Sequence, residues 1–155
     1  IGIPVFAQLR NVDLHGVNLS GRDLRYADLR GADLGNADLR AANLRRARAD
    51  GILAPNSTWR DAHMDGASLA GAKLRGADLR GIHAYRVDFR SANMSDADIR
   101  CASLSHAYLL GASLDRAVLA GTYLRFVEGL TMEQLKHACG NSRTELPPGF
   151  SISAC

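Results

Sequence analysis

The chain reads as an all-β solenoid, a tube of short stacked coils. An apolar residue recurs every five positions from Leu9 to Leu124. Of these 24 central positions 16 are Leu and the others are Ala49, Ala54, Trp59, Met64, Ala84, Phe89, Met94 and Ile99, none of them polar. Two residues ahead of each centre runs a second column, Ala7 to Thr122, in which 16 of 24 residues are Ala and only Arg22, Ser57 and Thr122 are polar. The chain is 46% hydrophobic but only 6% aromatic, so its interior is narrow and built of small, uniform layers.

A period of five fits neither regular element. On an α-helix, at about 100° per residue, it scatters the leucines around the circumference, and on a flat strand it alternates them between faces. All 24 centres point inward only if the backbone changes direction once per repeat. Stacking such coils buries a continuous ladder, here Leu24, Leu29, Leu34, Leu39, Leu44, Leu69, Leu74, Leu79, Phe89, Leu104, Leu109 and Leu114. The remaining positions carry corner and surface chemistry. The residue before the centre is Asp or Asn in 11 repeats, the one after it is Arg in 11, and the next is Gly in 10. Gly tolerates positive φ, and Asp or Asn bonds nearby backbone at a bend.

The motif Ala-(Asp/Asn)-Leu-x-x, seen as ADLRG at 27–31, ADLGN at 32–36, ADLRA at 37–41 and ADLRG at 77–81, resembles the pentapeptide-repeat family over residues 7–126. That resemblance implies a right-handed quadrilateral β-helix with four repeats per coil. Twenty-four repeats then make six coils, and at a strand spacing of roughly 4.8 Å the tube is on the order of 29 Å long. The expected organisation is a tube over 1–126 and a cap and tail over 127–155.

Residues 46–65, RRARADGILAPNSTWRDAHM, match the repeat poorly. They form either an irregular coil, the preferred reading, or a loop that leaves the tube at Ala54-Pro55-Asn56-Ser57 and returns in phase. Trp59 is expected to be buried at least in part. Beyond Phe126 the stretch LTMEQLKHACG places Thr131 as N-cap with Gln134 three residues on, Leu130 and Leu135 as a staple and Gly140 as a stop, predicting a helix over 132–139. A tube ends in open strand edges, so this helix is first a cap. Some members of the resembled family dimerise through their C-terminal end, so the expected state is a monomer or such a dimer.

Of the three cysteines, Cys101, Cys139 and Cys155, none has CxxC spacing, and free thiols are the default. A Cys139 to Cys155 bond would tie down the tail in an oxidising compartment. Val5-Phe6-Ala7 ahead of Gln8 has the small-residue ending of a secretory signal. Ala7 is in phase with the repeats, however, and reads as part of the first. The expected location is the cytoplasm, or a periplasm or lumen had a signal peptide been removed. No apolar run is long enough to span a membrane.

With four repeats per coil, residues twenty apart stack. One face carries Arg40, Arg60, Arg80 and Arg100 beside Asp38, Asp78 and Asp98, which reads as mutual neutralisation in preference to a phosphate ladder. The next face carries Arg25, Arg45, Arg46, Arg86 and Arg125 against Asp23 and Asp65, five minus two, or +3, where the other faces are +1, −1 and 0. It also bears Tyr26, Tyr85, Tyr123, Phe126, His63, His83 and His106. Arg and Tyr are favoured at protein interfaces, so this is the candidate protein-binding face. His63 and His83 without a carboxylate or thiol partner make no metal site. No catalytic constellation, phosphate loop or cofactor motif is present, and a core of Leu and Ala leaves no cavity for a small molecule, so no enzyme, metal or cofactor is expected. The expected function is a scaffold that binds an unidentified protein. Two alternatives are set beside it. Members of the resembled family that mimic DNA inhibit or protect DNA gyrase, but a net charge of +3 departs from the acidic surface this needs. Direct nucleic-acid binding by the basic face is the lesser alternative, since the charge is modest.

Overall fold

The structure, a computed structural model, describes residues 4–155. Its backbone is a parallel ladder in which each residue pairs with the one twenty further on, from Gln8 with Asp28 to Tyr108 with Glu128. Twenty residues at five per repeat give a four-sided coil. Each side contributes one residue to the ladder, so among the described residues extended strands form only in the C-terminal segment, where β1 (Cys139–Gly140) pairs in parallel with β2 (Ser153–Ala154).

Five backbone N–H groups per repeat have to be satisfied, and the repeat around Leu24 shows how. Leu24 donates to Asn43 O at 2.8 Å, Tyr26 to Arg45 O at 3.1 Å, and Ala27 closes the turn on Leu24 O at 3.1 Å, while Asp28 donates to Ala7 O at 2.9 Å. The fifth donor, the residue after the centre, has no backbone partner. It bonds the carboxylate or amide oxygen two residues back, as Arg25 does to Asp23 at 3.1 Å. All eleven Asp and Asn residues of that column accept such a bond. Where Asp precedes the centre and Arg follows it, the arginine then folds back on the same carboxylate, with Nη2 to Oδ2 at 2.6 Å in Arg25–Asp23, Arg40–Asp38, Arg90–Asp88 and Arg100–Asp98. The repeat motif is thus a local clamp that neutralises six arginines: Arg25, Arg30, Arg40, Arg80, Arg90 and Arg100.

These clamps set the acid response. Arg30, hydrogen-bonded to Asp28, holds that carboxyl down to about 2 against the burial that pushes it up, and Arg116 does the same for Asp96, also to about 2. A carboxylate whose folded pKa lies below its unfolded value near 3.9 adds stability above that value and loses it as pH falls toward 2. Unfolding free energy is therefore expected to fall between roughly pH 4 and 2, after a smaller decline as pH drops through the histidine range, where His63 has its pKa lowered by burial and by Arg45. Urea titrations at stepped pH check this, and Asp28→Asn should flatten part of the fall.

The centres and the alanine column form one continuous core, with Leu24, Leu29, Leu34, Leu39, Leu74, Leu79, Phe89, Leu104, Leu109 and Leu114 wholly buried and Leu44 and Leu69 almost so. Residues 46–65 are a full coil in register, bridging Asp28–Arg48, Asp33–Leu53, Asp38–Thr58 and Asn43–His63 below and Arg48–Ser68 to His63–His83 above. There is no excursion at 54–57. Pro55 and Asn56 occupy the two central positions of an ordinary corner, where proline presets the first φ and Asn56 takes φ 54°. Trp59 lies fully in the core, and its bulk is matched by Ala49 and Ala54 at two other centres of the same circuit. Its indole N–H donates to Ser57 Oγ at 2.6 Å, and that hydroxyl donates to Ala54 O at 2.6 Å. The residues that break the pattern are mutual compensations.

At the C-terminal end the helix is shorter than the spacing predicts. α1 spans Met132–Leu135, four residues instead of 132–139, because Ala138 turns out and Cys139 rejoins the ladder opposite Val118. Glu145 likewise pairs with Tyr123. The segment therefore supplies two sides of a further layer, and α1 sits where a third would be, with Leu130, Leu135 and Ala138 buried on the core. Thr131 and Gln134 form the capping box. Gln134 also donates through Nε2 to Leu109 O at 2.7 Å and Ala112 O at 2.8 Å, satisfying two carbonyls of the last complete coil. Gln134→Leu should cost on the order of 2 kcal/mol by urea denaturation, and Lys136→Ala, exposed beside it, close to nothing. Cys139 and Cys155 are disulfide-bonded, not free, because β1 and β2 set their Cα atoms 4.8 Å apart; Cys101 is free and exposed.

Candidate functional site

Each side of the coil ends at a corner residue of positive φ, 24 in all from Phe6 to Gly121. Three edges of the tube fill these corners with Gly, Asn, Asp, Ala, Ser or Cys, and with one larger residue, Arg116, in eighteen positions. The fourth edge carries Phe6, Tyr26, Arg46, Gly66, Arg86 and His106. A left-handed backbone costs a bulky L-residue roughly 1–2 kcal/mol, which Gly escapes. Five large side chains are thus held in strained positions along a single line, and strain of this kind collects at functional sites.

Along that line the side chains touch continuously over the first coils. Phe6 stacks on Tyr26 with ring centroids 4.9 Å apart. Arg46 lies over the other side of the Tyr26 contact, its guanidinium carbon 5.9 Å from the ring centroid and Nη1 donating to the hydroxyl at 3.4 Å. Gly66 leaves a gap. Beyond it Arg86 covers Tyr85 at 5.3 Å, Tyr85 meets His106 edge-on at 5.6 Å, His106 stacks on Phe126 at 5.4 Å, and Arg125 lies over Phe126 at 5.6 Å. Tyr123 packs edge-on to Phe126 at 6.2 Å.

The sequence-predicted residues divide into two groups. Tyr26, Arg46, Tyr85, Arg86, His106 and Arg125 are brought together on this edge. Arg25, Arg45, His63 and His83 lie on the adjoining flat side and are largely occupied. Arg25 is clamped by Asp23, which raises its pKa, and Arg45 pairs with Asp65 at 3.1 Å and donates to His63 Nδ1 at 3.2 Å. His63 stacks on His83 at 4.7 Å. Partial burial, then the positive charge of Arg45 and the His83 ring, push the His63 pKa below its ordinary value, so it accepts the Arg45 bond as a neutral imidazole. Phe6 was not singled out from the sequence, although its place twenty residues before Tyr26 marks it. Among the described residues no group of three metal-ligating side chains converges anywhere.

Arg46, Arg86 and Arg125 have no carboxylate within 4.0 Å among the described residues, and all three are exposed. The rival arginine file is in the opposite condition. Arg40 pairs with Asp38, Arg60 and Arg80 with Asp78, Arg80 also with Asp98 at 3.4 Å, and Arg100 with Asp98. A groove of about 440 Å³ runs past Arg60, Arg80, Arg100 and Arg143, but three of those charges are already matched.

Fold and surface together define a repeat solenoid whose distinctive chemistry lies on one outer edge. The chain belongs to the Pentapeptide repeats family, whose profile matches eight copies over residues 5–40, 42–81, 67–100 and 97–128. It is a pentapeptide-repeat scaffold. Similar solved structures include Rfr23, a pentapeptide repeat protein from the cyanobacterium Cyanothece 51142, 22% identical over 74% of this chain and 63% of that one, with a TM-score of 0.39. The chain thus spans less than two thirds of Rfr23. QnrB1, a plasmid-mediated fluoroquinolone resistance protein, is 21% identical over 88% and 74% of the two chains with a TM-score of 0.41. HetL from Nostoc sp. strain PCC 7120, involved in heterocyst differentiation regulation, is 24% identical over 97% and 94% with a TM-score of 0.26. No curated protein sequence matches the chain. No helix is long and apolar enough to cross a membrane.

Proposed function

We propose that this protein is a non-enzymatic scaffold that binds a partner protein through the edge running from Tyr26 to Arg125. In this reading a tube of six coils over residues 1–126 presents the edge, and residues 127–155 close its end. The observation that supports it is the gathering of large aromatic and basic residues at left-handed corners, where Gly or Asn would cost less. Arg and Tyr are enriched at interfaces, and the tube holds them on a rigid frame before any partner arrives. The unpaired positive charge on this edge argues against mimicry of a nucleic acid, which needs an acidic surface.

Affinity capture from the native lysate followed by mass spectrometry tests the reading. The wild type and an Arg40→Glu/Arg80→Glu control are expected to recover the same partner, and Arg46→Glu/Arg86→Glu to lose it. Equal recovery by all three contradicts the assignment.

A further inference from the structure

We infer that the edge recognises an acidic polypeptide segment lying extended along the tube axis in a polyproline II conformation, with carboxylates on Arg46, Arg86 and Arg125. This rests on the edge being the binding surface and adds the chemistry and geometry of what it binds. The first ground is charge. These three arginines are exposed and without a carboxylate partner among the described residues, so a ligand that fits must bring negative charge.

The second ground is spacing. Arg46 and Arg86 stand forty residues, or two coils, apart, and Arg125 lies in the coil two beyond Arg86. At a ladder spacing of roughly 4.8 Å the backbone positions that carry them therefore recur about every 9.6 Å along the axis, Arg125 one residue aside from the column of Arg46 and Arg86. A β-strand presents one face every second residue, about 6.8 Å. A polyproline II helix repeats every third residue, about 9.3 Å, and so keeps step with the backbone positions of the arginines, whose flexible side chains take up the remainder. Such a segment also enters already extended, so little ordering entropy is lost on docking.

The third ground distinguishes protein from nucleic acid. Single-stranded nucleic acid is held by stacking bases on open aromatic faces. Here the rings are engaged with each other or with guanidinium groups: Tyr26 between Phe6 and Arg46, Tyr85 under Arg86, and Phe126 between His106 and Arg125. The three arginines beside these rings are exposed and have no carboxylate partner among the described residues, which suits them to a carboxylate of the ligand. Three charges along one edge are also few for a duplex, whose binders neutralise roughly six to ten phosphates.

Fluorescence anisotropy with four twelve-residue or twelve-nucleotide probes tests this on the whole chain. They are (Pro-Pro-Glu)4, its glutamine counterpart (Pro-Pro-Gln)4, a peptide of equal charge with its four glutamates two apart, and an oligothymidylate. (Pro-Pro-Glu)4 is expected to bind at least roughly tenfold tighter than the other three, and Arg46→Gln/Arg86→Gln/Arg125→Gln to lose roughly tenfold. Equal binding of the two acidic peptides overturns the polyproline geometry, and tighter binding of the oligothymidylate overturns the acidic polypeptide. Absence of binding to every peptide, with lysate capture still lost on Arg46→Glu/Arg86→Glu, overturns this inference and leaves the binding edge standing. Loss of both removes the edge as well. The peptide comparisons use unaltered protein, so they hold even if the triple variant folds poorly.

Discussion

Trp59→Ala is expected to destabilise the protein by about 3–5 kcal/mol, the largest effect of any single substitution in the tube. The ring is fully buried, and of the three other centres in its circuit two are only Ala49 and Ala54, too small to fill the space it leaves. Ser57 would also lose the indole donor that its hydroxyl accepts at 2.6 Å. Because the coil is irregular only as a set, it should be repairable as a set. Trp59→Leu with Ala49→Leu, Ala54→Leu and Ser57→Ala places leucine at three of the four centres beside Met64 and is expected to return to within about 1–2 kcal/mol of the wild type. Urea denaturation of the two variants measures both numbers. A full loss in the rebuilt coil would show that the irregular residues do more than fill volume.

Removal of the Cys139–Cys155 bond ranks second. Closing a loop of sixteen residues restrains the unfolded chain by about 3 kcal/mol, so Cys155→Ser is expected to lower stability by that order in oxidising buffer. The loss should fall chiefly on the tail, where β2 pairs with β1 and Phe150 and Ile152 pack on the core, and so uncover Leu130 and Leu135. A reducing agent should bring the wild type down to the variant and leave the variant unchanged. Such a bond persists in oxidising surroundings and is lost in reducing ones. Denaturation with and without dithiothreitol makes the comparison.

The inward columns were legible in the sequence because no centre from Leu9 to Leu124 is polar, and the polar residues buried beside them, Ser57 and Thr122, each donate to a backbone carbonyl. The cap was legible through Thr131, Gln134 and Leu135, whose spacing is that of a capping box. Its length was not, since Cys139 leaves the helix to pair with Val118, a contact no local pattern encodes. The coil at 46–65 was ambiguous because propensity judges residues one at a time. Ala49, Ala54, Ser57 and Trp59 make sense only when their combined volume and the indole hydrogen bond are seen together. The candidate face was found from its net charge of +3, which already subtracts Asp23 and Asp65 but does not show that Arg25 and Arg45 are the arginines they neutralise. Corner residues gave the finer signal. It was present in the sequence as Tyr26, Arg46, Arg86 and His106 two places after the centre, where ten repeats have Gly, but its cost became visible only with the backbone angles.

The central claim is that these corner side chains are kept for binding and not for the fold, and the unfolding free energy of Arg46→Gly/Arg86→Gly tests it most directly. Relief of two left-handed corners, roughly 1–2 kcal/mol each, should offset the entropy of two glycines and two exposed cation–π contacts, each worth about 0.5–1 kcal/mol. The account predicts stability within about 1 kcal/mol of the wild type in a protein that no longer captures its partner. A fall of more than about 2 kcal/mol would contradict it, showing that the arginines hold the tube together.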